Sequence, residues 1–216
     1  MNFAEYNVKD ANLEEILLAL KSLDTVEAVA LGGSRSTGAS DENSDYDIYV
    51  YCAEIPTAET RENLLGKYCS IAEFGNHYWE SEDNTVMNNG IPVDIIYREV
   101  DRFGRYIDTV IKGGKAFNGY TTAFWHNIKN SKVLFDKTGT FTKFRDMAQI
   151  DFPENLRSAI IKNNRNLLNG KLPSYDRQIK KAQERGDIVS VNHRITAFLE
   201  TYFDVIFSLN RQTHTG

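Results

Sequence analysis

Two carboxylates one residue apart, Asp45 and Asp47, close the segment LGGSRSTGASDENSDYDIYVY. Side chains alternate along a strand, so the two acids point one way and Tyr46 the other. Neighbouring carboxylates repel unless a cation lies between them. Hard divalent ions such as Mg²⁺ take oxygen ligands of this kind and keep substrate phosphates in their remaining positions. A third acid, Asp94, interrupts the apolar run IPVDIIY, where a buried charge is expensive without a partner. If a strand over residues 92–97 lies beside one over 47–51, the three acids can face common cations. They are then the parts of a two-metal site for in-line attack at phosphorus. Taken singly, each has a plainer reading: D-x-D as a turn or exposed strand end, Gly-Gly-Ser as a tight turn, Asp94 as a satisfied buried acid. Their order and the elements that carry them favour the metal site.

A nucleotide loop of another kind is tested first. Gly33 to Gly38 fits G-x-x-x-x-G, but Ala39 stands where a Walker loop needs the lysine that reaches the β- and γ-phosphates. That disfavours a P-loop NTPase and leaves a backbone cradle for phosphate.

The elements that must position these residues alternate in the first half. The apolar spacing predicts a helix over 12–23, capped by Asp10 or Asn12, and a buried strand over 26–31 ended by Gly32-Gly33. A turn or short helix follows over 34–40, then a strand over 47–51, a helix over 59–68, the strand over 92–97 and a helix over 103–111. No strand signal appears after that. Residues 121–128, 140–147, 153–168, 179–185 and 188–209 suit helices, and a boundary falls near 113–119.

The chain has 216 residues, 41% hydrophobic and 25% charged, ordinary for a soluble globular protein. No stretch approaches the ~20 apolar residues of a membrane span. The N-terminus is polar and acidic, unlike a secretory signal. Cys52 and Cys69 lack metal-ligand or redox spacing, so reduced thiols and a cytoplasmic location are expected. Residues 151–216 hold ten Lys or Arg against seven Asp or Glu, a net of +3. The remainder, with 15 against 23, carries −8. An acidic first part suits a cation site and argues against a nucleic-acid platform there. The basic second part could receive an anion.

The glycine turn, the roughly dozen-residue spacer, Asp45-x-Asp47 and the later strand acid Asp94 resemble the nucleotidyltransferase superfamily of DNA polymerase beta. The likeness is closest over 26–52 and 91–98. In arrangement, the second half resembles the helical domain of small antibiotic-type enzymes acting on aminoglycosides or lincosamides. The resemblance implies an α+β fold: a mixed sheet with flanking helices over 1–115, then an all-α acceptor-side domain over 116–216. It implies that Gly32, Gly33 and Ser34, with Arg35 beside them, hold the triphosphate. Asp45 and Asp47 bind both of two Mg²⁺ ions, Mn²⁺ being an alternative. Asp94 binds the catalytic metal and helps orient or deprotonate the acceptor hydroxyl. Nucleoside monophosphate passes from an NTP such as ATP to a small-molecule hydroxyl, and pyrophosphate leaves. The chain stops soon after its last long helix. Relatives continue further, so the helical domain is expected to be incomplete or to pair with another chain, a homodimer included.

A separate base would help a neutral hydroxyl lose its proton. Glu80, Glu82 and His77, in NHYWESEDN, are the candidates, set against a solvated acidic loop. In the helical half, Lys162, Arg165, Lys171, Lys180 and Lys181 read as a solvated face from which one or two could meet the triphosphate. Phe198, Tyr202, Phe203 and His193 read as core or surface, or as the lining of an acceptor pocket. Three other functions stay open: modification of a protein or tRNA as in toxin–antitoxin relatives, a metal-dependent glycosyltransferase using D-x-D, and an inactive nucleotide-binding module. An apolar strand that follows D-x-D, rather than preceding it, favours nucleotidyl transfer over glycosyl transfer. Retention of all three acids disfavours the inactive module.

Overall fold

The computed structural model describes residues 8–38, 41 and 44–216. Residues 39–40, where the turn read over 34–40 ends, and Ala39 of the Walker comparison lie outside the described residues. The chain forms two compact units. The first takes residues 1–105 and 128–147, the second 106–127 and 148–216.

In the first unit, helix α1 (Ala11–Ser22) starts where the Asp10 carboxylate accepts from the Asn12 and Leu13 N–H groups, at 2.9 and 3.3 Å. It buries Leu13, Ile16, Leu17 and Leu20 completely. At about 1.5–3 kcal/mol per aliphatic side chain, this face pins the helix to the sheet. Strand β1 (Val26–Leu31) is followed by the short helix α2 (Gly33–Thr37) and by β2 (Tyr46–Cys52). Next come α3 (Ala58–Leu65) with a 3₁₀ turn, β3 (Cys69–Asn76), β4 (Ser81–Met87) and β5 (Pro92–Glu99). Helix α4 (Val100–Ile111) leads the chain out of this unit and helix α5 (Ala123–Asn130) leads it back, before strand β6 (Lys132–Asp136) and helix α6 (Thr140–Ala148). The sheet order is β3-β4-β5-β2-β1-β6; β2 and β5 run parallel and the other pairs antiparallel. This mixed sheet with flanking helices, and the helical region after it, is the fold class expected from the sequence.

Three strands were not expected. Both faces of β3 and β4 carry polar groups, so the period-2 contrast that betrays a half-buried strand is missing. In particular, 80–85 is not a solvated loop: Glu82, Asp83 and Thr85 are buried in β4. The five-residue β6 pairs with β1 from about a hundred residues away, and no local pattern announces such a partner. Residues 128–147 return to the first unit after 106–127 have entered the second.

One sheet face packs Val29, Leu31, Ile48, Val50, Val93 and Ile95 into the core with α1. It also carries a buried ion pair, Arg61 to Asp83 at 2.8 Å. The Arg61 guanidinium lies 4.5 Å from the Tyr97 ring centre. On the other face Tyr51 meets Phe103 and Phe141 edge-on, at 5.4 and 5.3 Å between ring centres. Cys52 and Cys69 are free thiols.

The second unit contains helices α7 (Glu154–Asn169), α8 (Tyr175–Glu184) and α9 (Ile188–Leu209). Asp204 of α9 is buried and accepts from Thr121 N (3.0 Å), Thr121 Oγ1 (2.7 Å) and Asn164 Nδ2 (2.8 Å). Phe198 and Tyr202 stack at 6.0 Å, and Tyr202 and Phe203 remain partly exposed. No helix among the described residues is long and apolar enough to cross a membrane.

Candidate active site

The parallel pairing of β2 with β5 sets Asp47 directly beside Asp94. Asp45 lies just ahead of β2, exposed. One carboxylate oxygen from each of Asp45, Asp47 and Asp94 lies within 4.8 Å of the others. Three like charges so close are unfavourable without a counter-charge. Burial, then Asp45, then Asp94, push the Asp47 carboxyl from 3.8 to about 6. An all-oxygen cluster whose acids hold one another up in this way fits hard divalent cations.

The glycines fit against these acids because they have no side chain. Gly33 adopts φ +58°, and a Cβ there would sit 1.7 Å from Asp47 Oδ2. A Cβ on Gly32 would lie 2.1 Å from the Tyr49 ring. The Gly32 N–H donates to the Asp47 carbonyl at 2.8 Å, tying the turn to the strand that carries the acid. The turn opens α2, whose first-turn N–H groups have no intrahelical partner. Gly33 and Ser34 occupy that position.

The sequence-expected residues do not all behave alike. Arg35 turns its guanidinium onto the Tyr46 ring, 4.0 Å from its centre. Its Nε donates to the Ser44 and Asp45 carbonyls, both at 2.9 Å, and Nη2 also donates to Ser44 O. Arg35 thereby anchors the backbone that presents Asp45. Glu80 is held by Arg98, whose Nε and Nη2 donate to its two oxygens at 2.8 and 2.7 Å. Arg98 is buried among Tyr49, Tyr51 and Phe103. Glu82 is free of that pairing. It lies on β4 opposite Ile96, two residues along from the Asn84–Asp94 pair and on the same face. Burial first, then Asp94 and Glu80, raise its carboxyl above the ordinary range, while exposed His77 opposes them.

Two residues escaped the sequence reading. Asn84 Nδ2 donates to Asp94 Oδ1 at 2.9 Å. Asn76 Nδ2 donates in turn to Asn84 Oδ1 at 2.8 Å, which fixes the Asn84 amide and aims it at Asp94. The signal was the alternate series Glu80, Glu82, Asn84, legible only once this segment is known to be a strand.

The mixed sheet thus sets Asp47 and Asp94 on adjoining strands, with Asp45 just ahead of one of them and the glycine turn beside all three. Residues 13–117 match the family model described as "Nucleotidyltransferase domain", and residues 122–215 match "Domain of unknown function (DUF4037)". Residues 13–117 therefore carry a nucleotidyltransferase domain, the domain of an enzyme family. No curated protein matches it. Among solved structures, similarity extends to a toxin–antitoxin structure with AMP-PNP, at 18% identity and TM-score 0.36, over 62% of this chain and 82% of that one. A nucleotidyltransferase-like protein from Exiguobacterium sibiricum 255-15 aligns at 9% identity and TM-score 0.44, over 93% of this chain and 57% of that one. The Thermotoga maritima CCA-adding enzyme complexed with tRNA aligns at 16% identity and TM-score 0.35, over 95% of this chain and 53% of that one. The chain thus spans little more than half the length of the last two.

Proposed function

We propose that this protein transfers a nucleoside monophosphate from an NTP to an acceptor hydroxyl and releases pyrophosphate. The observation that carries this reading is the convergence of Asp45, Asp47 and Asp94 within 4.8 Å beside the Gly32-Gly33 turn. Asp45, Asp47 and Asp94 hold two Mg²⁺ ions, with Mn²⁺ as a substitute. Bound there, such ions neutralise charge on the phosphates and acidify the attacking hydroxyl. The backbone N–H groups of Gly33 and Ser34 receive triphosphate oxygens. Asp94, oriented by Asn84, aligns the hydroxyl. Glu82 takes its proton, because a raised carboxyl is a better base near neutral pH than an ordinary one. The acceptor oxygen bonds to the α-phosphorus as the α–β bridging bond breaks. Glu80 is not assigned that task, since Arg98 occupies both its oxygens. Residues 116–216 are assigned to the acceptor side, and a small-molecule hydroxyl is the first acceptor reading. An RNA hydroxyl is the second, favoured by a cleft in the second unit lined by Lys162, Arg165, Lys171 and Arg177.

The test is incubation with each labelled NTP, Mg²⁺ and panels of small molecules and RNAs. The expected product is acceptor plus NMP, with pyrophosphate released in equal amount. Asp47→Asn should abolish it with the fold intact by circular dichroism. Wild-type turnover by that variant would overturn the assignment.

A further inference from the structure

The second unit contains a cleft of about 800 Å³ between α7 and α8. Four cations line it: Lys162 and Arg165 from α7, Lys171 from the following loop and Arg177 from α8. No carboxylate lines it among the described residues. Lys162, Arg165 and Lys171 make no ion pair with any of the described residues. The acid next to Arg177, Asp176, is engaged by Ser174 Oγ at 2.5 Å and by the Arg177 N–H at 2.7 Å. Four positive charges around one concavity repel one another and draw in an anion.

The shape selects the kind of anion. Ser158 and Asn169, at the two ends of the α7 lining, are eleven residues apart, about 16 Å along the helix axis. That is about the length of five stacked nucleotides at 3.4 Å each. The lining cations are exposed, whereas a small-molecule site encloses most of its ligand. An open, elongated groove with spaced cations and amide donors suits a phosphodiester backbone. The net charge of −8 that disfavours nucleic acid belongs to residues 1–150; residues 151–216 carry +3.

We propose that the α7–α8 cleft binds the phosphodiester backbone of a single-stranded nucleic acid. The proposal concerns binding, so it succeeds or fails separately from the transfer reaction: an Asp47→Asn protein, silent in transfer, must still bind. The probe is a fluorescein-labelled 15-nucleotide oligouridylate, followed by anisotropy with the full chain. A single strand neutralised by four cations gives a slope of about −3 for log affinity against log salt, or about fifty-fold weakening from 50 to 200 mM. The double substitution Lys162→Gln, Arg165→Gln should bring the slope to about −1.4 and the weakening to about sevenfold. Both side chains are exposed, so its melting should match wild type. Lys180→Gln, on α8 outside the cleft, is the control and should leave the slope unchanged. The proposal is overturned if wild type binds no tighter than about 1 mM at 50 mM salt, well outside the usual non-specific range. It is overturned if the double variant keeps the wild-type slope, or if Lys180→Gln lowers it as much as a cleft substitution. It is also overturned if tripolyphosphate binds with dependence on Lys162 and Arg165 while the oligonucleotide does not, which would make the cleft a small-anion site.

Discussion

Without metal, Asp47 should work against the stability of the fold, and removing its charge should reveal by how much. Its carboxyl rises from 3.8 to about 6 through burial and two neighbouring acids. Below pH 3.8 the group is protonated whether the chain is folded or not, and it contributes nothing. Between 3.8 and about 6 the unfolded chain ionises first, so stability falls with rising pH. Above about 6 the full penalty applies. A rise of about two pH units corresponds to about 3 kcal/mol. Asp47 is only half-buried, and solvent screening reduces this to about 1–2 kcal/mol. Asp47→Asn should therefore stabilise metal-free protein at pH 7.5 by about that amount, raising Tm by about 2–8 °C for a chain of this size. At pH 3.5 the two proteins should melt together. Mg²⁺ should raise wild-type Tm at pH 7.5 and leave the variant nearly unmoved. The assay is differential scanning calorimetry in EDTA and in Mg²⁺ at both pH values. An Asp47→Asn protein less stable than wild type at pH 7.5 in EDTA would refute the reasoning, because the three carboxylates would then not be in mutual conflict.

Other consequences can be measured alongside. Gly33→Ala forces a Cβ against the Asp47 carboxylate at a backbone angle alanine rarely adopts; it should cost at least about 1 kcal/mol and depress transfer far more than it depresses stability, as read by pyrophosphate release and melting. Asn84→Ala frees Asp94 Oδ1 and should weaken metal activation about 10–100-fold, seen as a higher Mg²⁺ concentration for half-maximal turnover with little change in KM for NTP. Arg61→Leu leaves buried Asp83 unpaired and should cost about 3–5 kcal/mol in denaturant titration, with Arg61→Leu, Asp83→Leu recovering most of it.

Legibility differed from residue to residue for physical reasons. The strand over 26–31 was read to the residue, since an apolar run reports burial directly; the helix over 188–209 was also read to the residue from its apolar period, although the positions it buries are Thr201, Asp204 and Ser208. Asp94 stood out because a charge in an apolar run requires a partner. Glu82, Asn84 and Asn76 did not, because β3 and β4 are polar on both faces and only their hydrogen bonding makes them strands. Glu80 and Glu82 read as equivalent acids in one loop. Arg98, far along the chain, separates them by taking the first and leaving the second. Asp204 gave no sign that it would be buried, since Thr121 and Asn164, which satisfy it, are 83 and 40 residues away.

By itself the sequence determined the acids, the glycine turn that must meet them, and the alternation of strands and helices that brings them into play. These depend on local sterics and on side-chain period, which neighbouring residues fix. The tertiary structure alone decided that β2 and β5 lie parallel in a register setting Asp47 beside Asp94. It alone turned Arg35 inward to the Asp45 backbone, and it alone collected four cations from two helices and a loop into one cleft. Pairing register and convergence arise from contacts between distant segments, and no local pattern encodes which segments meet.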